Sequence, residues 1–145
     1  MNNSIQPDIV ITGIVISLIV SSIACKRCGL FTDLKITPKS FVYTIYYFIV
    51  FFIELVKSNM DVTRRVLSPS LPINPGIVEV KTKLKSKYAR MILANSITLT
   101  PGTLTVEIVD DSLFIHWIDV EAKDIKGASE KIVKNFEKYL EVIYG

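Results

Sequence analysis

Apolar positions run unbroken in the first third of this chain and alternate, or recur at helical spacing, in the rest. Residues 9–24, IVITGIVISLIVSSIA, carry no charge, and residues 41–56, FVYTIYYFIVFFIELV, carry only Glu54. Each run is shorter than the roughly 20 residues that cross a bilayer core. Both extend. Pro7 to Cys28 would make about 33 Å of helix at 1.5 Å per residue. In the second, Thr37 can cap the helix, Pro38 suits its first turn, and nothing stops it before Ser68-Pro69. The pattern therefore predicts two transmembrane helices, 7–28 and 38–67, joined as a hairpin that returns the chain to the side on which it began. Ten Ile, Leu and Val residues in the first favour insertion by about 3–6 kcal/mol before its polar residues subtract. The opening MNNSIQPD lacks the basic region of a secretory signal.

Residues 68–76, SPSLPINPG, carry three prolines and read as a linker to a small domain at 77–145. In IVEVKTKL, Val78, Val80, Thr82 and Leu84 alternate with charged residues, the pattern of a half-buried strand. From Lys85 to Ile97 the spacing turns helical, with Tyr88, Met91, Ile92 and Asn95 on or near one face. Thr100-Pro101-Gly102-Thr103 is a turn: proline presets its second position and glycine supplies the positive φ of its third. TLTVEIV and LFIHWIDV then form a hairpin about Asp110-Asp111. Ile132, Val133, Phe136, Tyr139, Leu140 and Ile143 mark a final helix. The expected fold class is a two-helix transmembrane hairpin followed by a small α/β domain. That domain has the order β-α-β-β-α, with helices on a three-stranded sheet and the first helix crossing between parallel strands.

Composition sharpens this picture. Half of the 145 residues are hydrophobic, mean hydropathy is +0.41 and formal net charge is +3. Residues 57–145 hold 13 Lys and Arg against 11 Asp and Glu, too even a balance for a nucleic-acid-binding face. Lys26, Arg27, Lys35 and Lys39 between the two runs are nearly balanced by Lys57, Arg64 and Arg65 after the second, so charge leaves orientation open.

Candidate chemistry is sparse. Gly13, Ser17 and Ser21 form a small-residue stripe suited to close helix packing. Glu54 is an acid within an apolar run, either part of an ion path or paired with Lys57 three residues on. Cys25 and Cys28 lie far from the sole histidine, His116, and lack the four ligands of a structural zinc site. They read as two thiols or, in an oxidising compartment, a local disulfide. Asp119, three residues beyond His116 on a strand, points to the other face. Lys81, Lys83, Lys85 and Lys87 make a basic edge, suited to anionic headgroups or simply to the wet side of an edge strand. There is no nucleophile elbow, phosphate loop or metalloprotease motif. No catalytic residue, cofactor or metal is expected.

LSP at 67–69, PGIVEVKTKLKS at 75–86, LANSITLTPGTLTVEI at 93–108 and LFIHWIDV at 113–120 resemble the E subunits of the multisubunit sodium/proton antiporters, the Mrp (Mnh) family. The similarity runs from about Phe41 to the C-terminus. It implies a small non-catalytic subunit of the cell membrane that assembles or stabilises larger ion-moving subunits, with its C-terminal domain in the cytoplasm. Asn95 and the Thr100–Thr103 corner fall within the family's characteristic motif, and Glu54 matches an acidic position before Ser58-Asn59. Lys81 stands where the family usually has proline. Many members carry a further N-terminal span, which makes the first span here equivalent to their second. Similar subunits occur in ferredoxin-linked membrane hydrogenases and sulfur reductases, an alternative setting. The implied partners are other membrane subunits and the lipid bilayer, not nucleic acid. A free-standing membrane-anchored binding domain is a third possibility.

Overall fold

The structure, a computed structural model, describes the backbone of residues 7–28 and 33–145, and their side chains except those of 24–28. The Cys25–Cys28 pair thus lies outside the described side chains. The chain forms two compact units, 1–33 and 34–145.

The first unit contains helix α1, Pro7–Cys28. Its described side chains from Pro7 to Ile23 are all exposed, and two of its hydroxyls turn back onto the helix. Thr12 Oγ1 donates to the Asp8 carbonyl at 2.7 Å and Ser17 Oγ to that of Ile14 at 2.9 Å, which leaves an apolar surface.

The second unit begins with α2, Pro38–Leu67. Thr37 caps it, its side chain accepting from Ser40 N at 3.1 Å. Among the described residues α2 is the one helix long and apolar enough to cross a membrane; Pro7–Ile23 is a shorter apolar helix. Next come β1 (Gly76–Lys81), α3 (Lys87–Leu99), β2 (Thr103–Val109), β3 (Ser112–Trp117), α4 (Ile125–Ile132) and α5 (Lys134–Tyr144). The sheet order is β1-β3-β2 and both pairings are antiparallel. β1 and β2 therefore run parallel to one another, as expected, but β3 separates them. Joining β3 to β2 through the two-residue Asp110-Asp111 turn places β3 beside β2, and β1 pairs with its free edge. Asp110 takes the left-handed φ of +50° that such a turn needs and that aspartate tolerates.

Two further expectations are corrected. The C-terminal stripe is divided between two helices meeting at Val133, giving β-α-β-β-α-α. On α3 the buried side chains are Ala89, Leu93, Ala94, Ser96 and Ile97, whereas Met91 and Asn95 are exposed. Burying α3 between β2 and α5 turns its leucine and small residues inward. Ser86 caps α3 through Ala89 N, and Asp124 caps α4 through Gly127 N.

Leu93 and Ile97 of α3, Val80, Leu113 and Ile115 of the sheet, and Val133 and Leu140 of the C-terminal helices are fully buried. Each such side chain contributes roughly 1.5–3 kcal/mol. α5 packs against α2, α3 and α4, and α4 covers β1. This makes three layers: sheet, helices, and α2 outermost. The other sheet face, with the Ile77–His116–Leu104 row, is exposed.

Candidate functional site

The seat of α2 on the α/β domain forms a concavity of the second unit. Ser40, Thr44, Tyr47, Phe51, Glu54, Ser58, Val62 and Arg65 recur every three or four residues and are buried or half-buried, one continuous face of a helix. Tyr47 stacks edge-on against Phe136 and its hydroxyl hydrogen-bonds Ser96 of α3. Tyr43 meets Tyr139, and Phe51 meets Phe136, at ring-centroid distances of 6.2 and 6.4 Å. Lys35 N donates to the Ile143 carbonyl at 2.9 Å, tying the start of the unit to α5. Burial pushes the Tyr144 phenol above its ordinary value, so that end of α5 carries no tyrosinate near neutral pH.

A cleft of about 240 Å³ opens beside the C-terminal half of α2, lined by Glu54, Asp61 and Arg65, the Thr100–Thr103 corner, and Trp117 to Asp119. The corner is built from the end of α3. Thr100 Oγ1 and Thr103 Oγ1 donate to the Ile97 carbonyl at 2.7 and 2.6 Å, satisfying an acceptor that a helix end leaves open. Gly102 has φ +92°, and a Cβ there would lie 3.1 Å from Ile118 Cγ2 and 3.6 Å from Val62 Cγ2. Glycine thus serves twice: it makes the turn and leaves room for the Ile118 side chain.

Charge in the cleft is spent internally. Arg65 donates to Asp61 at 2.7 Å, to the Pro72 carbonyl at 2.8 Å and to Asp119 at 2.6 Å. It joins α2, the proline linker and the segment after β3. Glu121 pairs with Lys131 at 2.6 Å. Glu54 accepts from Lys57 at 3.3 Å and from Asn135 Nδ2 at 3.2 Å. Among the described residues no three acidic, histidine or cysteine side chains are grouped to hold a metal ion.

The cleft therefore brings Glu54 together with Thr100, Pro101, Gly102 and Thr103. Asn95 is exposed on α3 and does not line it. Gly13, Ser17 and Ser21 are exposed on α1. His116 is exposed, while Asp119 faces Arg65. Of the four lysines, Lys81 pairs loosely with Asp111 at 3.8 Å, and a groove between β1 and α4 includes Lys81 and Lys83. Glu137 closes its floor by accepting from Thr82 Oγ1 and Lys83 N at 2.6 and 2.5 Å. Sequence reasoning missed Arg65, Asp119 and Tyr47. The two ion-pair partners are 54 residues apart with no local signal. The tyrosine belonged to a legible stripe of hydroxyl-bearing and charged residues along α2.

A family model described as Na+/H+ ion antiporter subunit matches residues 1–143. The E subunit of the Na+/H+ antiporter of Alkalihalophilus pseudofirmus is 50% identical over 76 residues, 51% of this chain and 48% of that protein. The E1 subunit of the Na+/H+ antiporter of Staphylococcus aureus (strain bovine RF122 / ET3-1) is 39% identical over 112 residues, 69% of this chain and 70% of the relative. The match to the first of these relatives thus spans about half of its length. A chain in the solved structure of the membrane-bound sulfane sulfur reductase, an archaeal respiratory membrane complex, superposes with a TM-score of 0.77 at 44% identity, covering 98% of this chain and 88% of that one. With the family model matched along nearly its whole length, the chain belongs to the family of Na+/H+ antiporter E subunits.

Proposed function

We propose that this chain is a non-catalytic membrane subunit that assembles or stabilises an Mrp-type Na+/H+ antiporter module. Its α/β domain lies on the cytoplasmic side, and other membrane subunits and the bilayer are its partners. One observation carries the reading: the carboxylates lining the cleft are held by neighbouring cations or amides. A general base or an ion relay needs a group free to change partners; here Glu54, Asp119 and Glu121 each tie one element to another, and Asp61 is held by Arg65 within α2. Glu54 is then a packing residue, and Glu54→Gln leaves transport by the assembled complex intact. Abolished transport with assembly preserved would assign it to the ion path.

A second reading places the subunit in a respiratory, ion-pumping complex. The match over 98% of the chain to the archaeal sulfane sulfur reductase favours it. Native mass analysis of the tagged chain, extracted from its own membranes in mild detergent and assayed for iron, tests both. Several larger apolar subunits without iron support the antiporter setting, and the same with iron supports the respiratory one. A free monomer or dimer overturns both in favour of an independent binding domain.

A further inference from the structure

Helix α2 is apolar enough to cross a bilayer, yet its most apolar stretch is already occupied along one side. α5 lies against it there, with Tyr139 at Tyr43, Phe136 at Tyr47 and Phe51, and Asn135 at Glu54. α5 carries exposed Lys134, Lys138 and Glu141, and behind it stands the whole polar domain. If α2 crossed the membrane upright, those charges would sit at hydrocarbon depth without water, where ionised groups are strongly disfavoured.

The opposite side of α2 has the complementary character. Val42, Ile45, Ile49, Phe52, Ile53 and Val56 are each 45–64% exposed and, at about 100° per residue, share one face. Lys39, Lys57 and Arg64 are exposed. They are spaced 18 and 7 residues apart, about five and two helical turns, so they line one flank of that face, and exposed Tyr46 joins them. An apolar face with cations and an aromatic amphiphile along its border matches an anionic bilayer surface. It does not match a second transmembrane helix, because between 41 and 56 the outward face holds no Gly, Ala or Ser to allow close backbone approach.

We infer that α2 lies in the plane of the membrane interface, its outward face seated in anionic lipid and its inward face in the α/β domain, in place of the second crossing that hydropathy predicts. This holds whether or not the chain acts as an assembly subunit.

The test uses the full chain with Cys25 and Cys28 replaced by serine, in vesicles of phosphatidylcholine and phosphatidylglycerol. Single cysteines at positions 42, 45, 49, 52, 53 and 56 are spin-labelled and their depth is read from oxygen against nickel accessibility. All six should lie at one shallow depth below the headgroups. A depth that rises and falls steadily with residue number would show a crossing helix and overturn the inference. So would water-like nickel accessibility, or dipolar broadening from a second copy. As a check free of substitution, a lipid-borne diazirine should label the unsubstituted chain on the outward face of α2 at helical periodicity and spare the inward one. Labelling around the whole circumference would contradict it.

Discussion

α1 and α2 are both long and apolar, but they are different objects. α1 carries a stripe of Gly13, Ser17 and Ser21 on an otherwise mainly apolar surface, and its Thr12 and Ser17 hydroxyls bond their own backbone. A helix of that kind satisfies its polar groups internally and suits a hydrocarbon environment all round. α2 divides its circumference. One side holds Ser40, Tyr47, Glu54, Ser58 and Arg65, all turned to the domain; the other is branched and aromatic. α1 is the more apolar of the two on average, and periodicity separates them further. Total apolarity tells how much a helix gains by leaving water; angular distribution tells which neighbours it can accept.

Substitutions on the inner side of α2 and its seat are the strongest way to break this contrast. Phe136 is 4% exposed and touches both Tyr47 and Phe51. Phe136→Ala should lower the unfolding free energy of the second unit by about 3–5 kcal/mol, read from denaturant titration in detergent. Arg65→Ala follows. The side chains of Arg65 and Asp119 are 16% and 22% exposed, so losing the guanidinium strands a partly buried carboxylate, at about 1–3 kcal/mol. Arg65→Lys should recover only part of that, since one ammonium does not reproduce the fork to Asp61, Pro72 and Asp119. Gly102→Ala, at a left-handed φ and 3.1 Å from Ile118, should cost about 1–2 kcal/mol. Tyr47→Phe keeps the ring and loses the hydroxyl bond to Ser96, about 0.5–1.5 kcal/mol. Lys57→Ala, at the exposed end of its pair with Glu54, should change stability by less than about 0.5 kcal/mol. If Lys57→Ala proved as damaging as Arg65→Ala, the division of α2 into a seated and a free side would be wrong.

Much of this fold is legible in the chain where the signal is local. Thr37-Pro38 starts α2, Thr100-Pro101-Gly102-Thr103 turns α3 into β2, and Asp110-Asp111 joins β2 to β3. Each depends on backbone preferences of a few adjacent residues. What escaped was set at longer range. Val133 divides α4 from α5 with no glycine or proline to announce it; the break follows from packing α4 on β1 while α5 packs on α2. Met91 looks like core by spacing and is exposed, because the three-layer packing chooses the leucine side of α3. The site divides in the same way. The Thr-Pro-Gly corner can be read from residues alone, but the close approach of Ile118 to Gly102 emerges only once the segment after β3 is packed beside the corner.

The central claim is that α2 belongs to the α/β domain as fully as α5 does, and one measurement in membranes addresses it directly. Tyr43→Cys and Tyr139→Cys, paired in a chain whose Cys25 and Cys28 are serine, put thiols at a contact whose rings now lie 6.2 Å apart. A short bismaleimide should join them within single chains in native membranes, quickly and in high yield, while either cysteine alone gives no product. Absence of the intramolecular bridge from the paired variant, with both thiols demonstrably reactive, would mean that α2 stands apart from the domain and that the account is wrong.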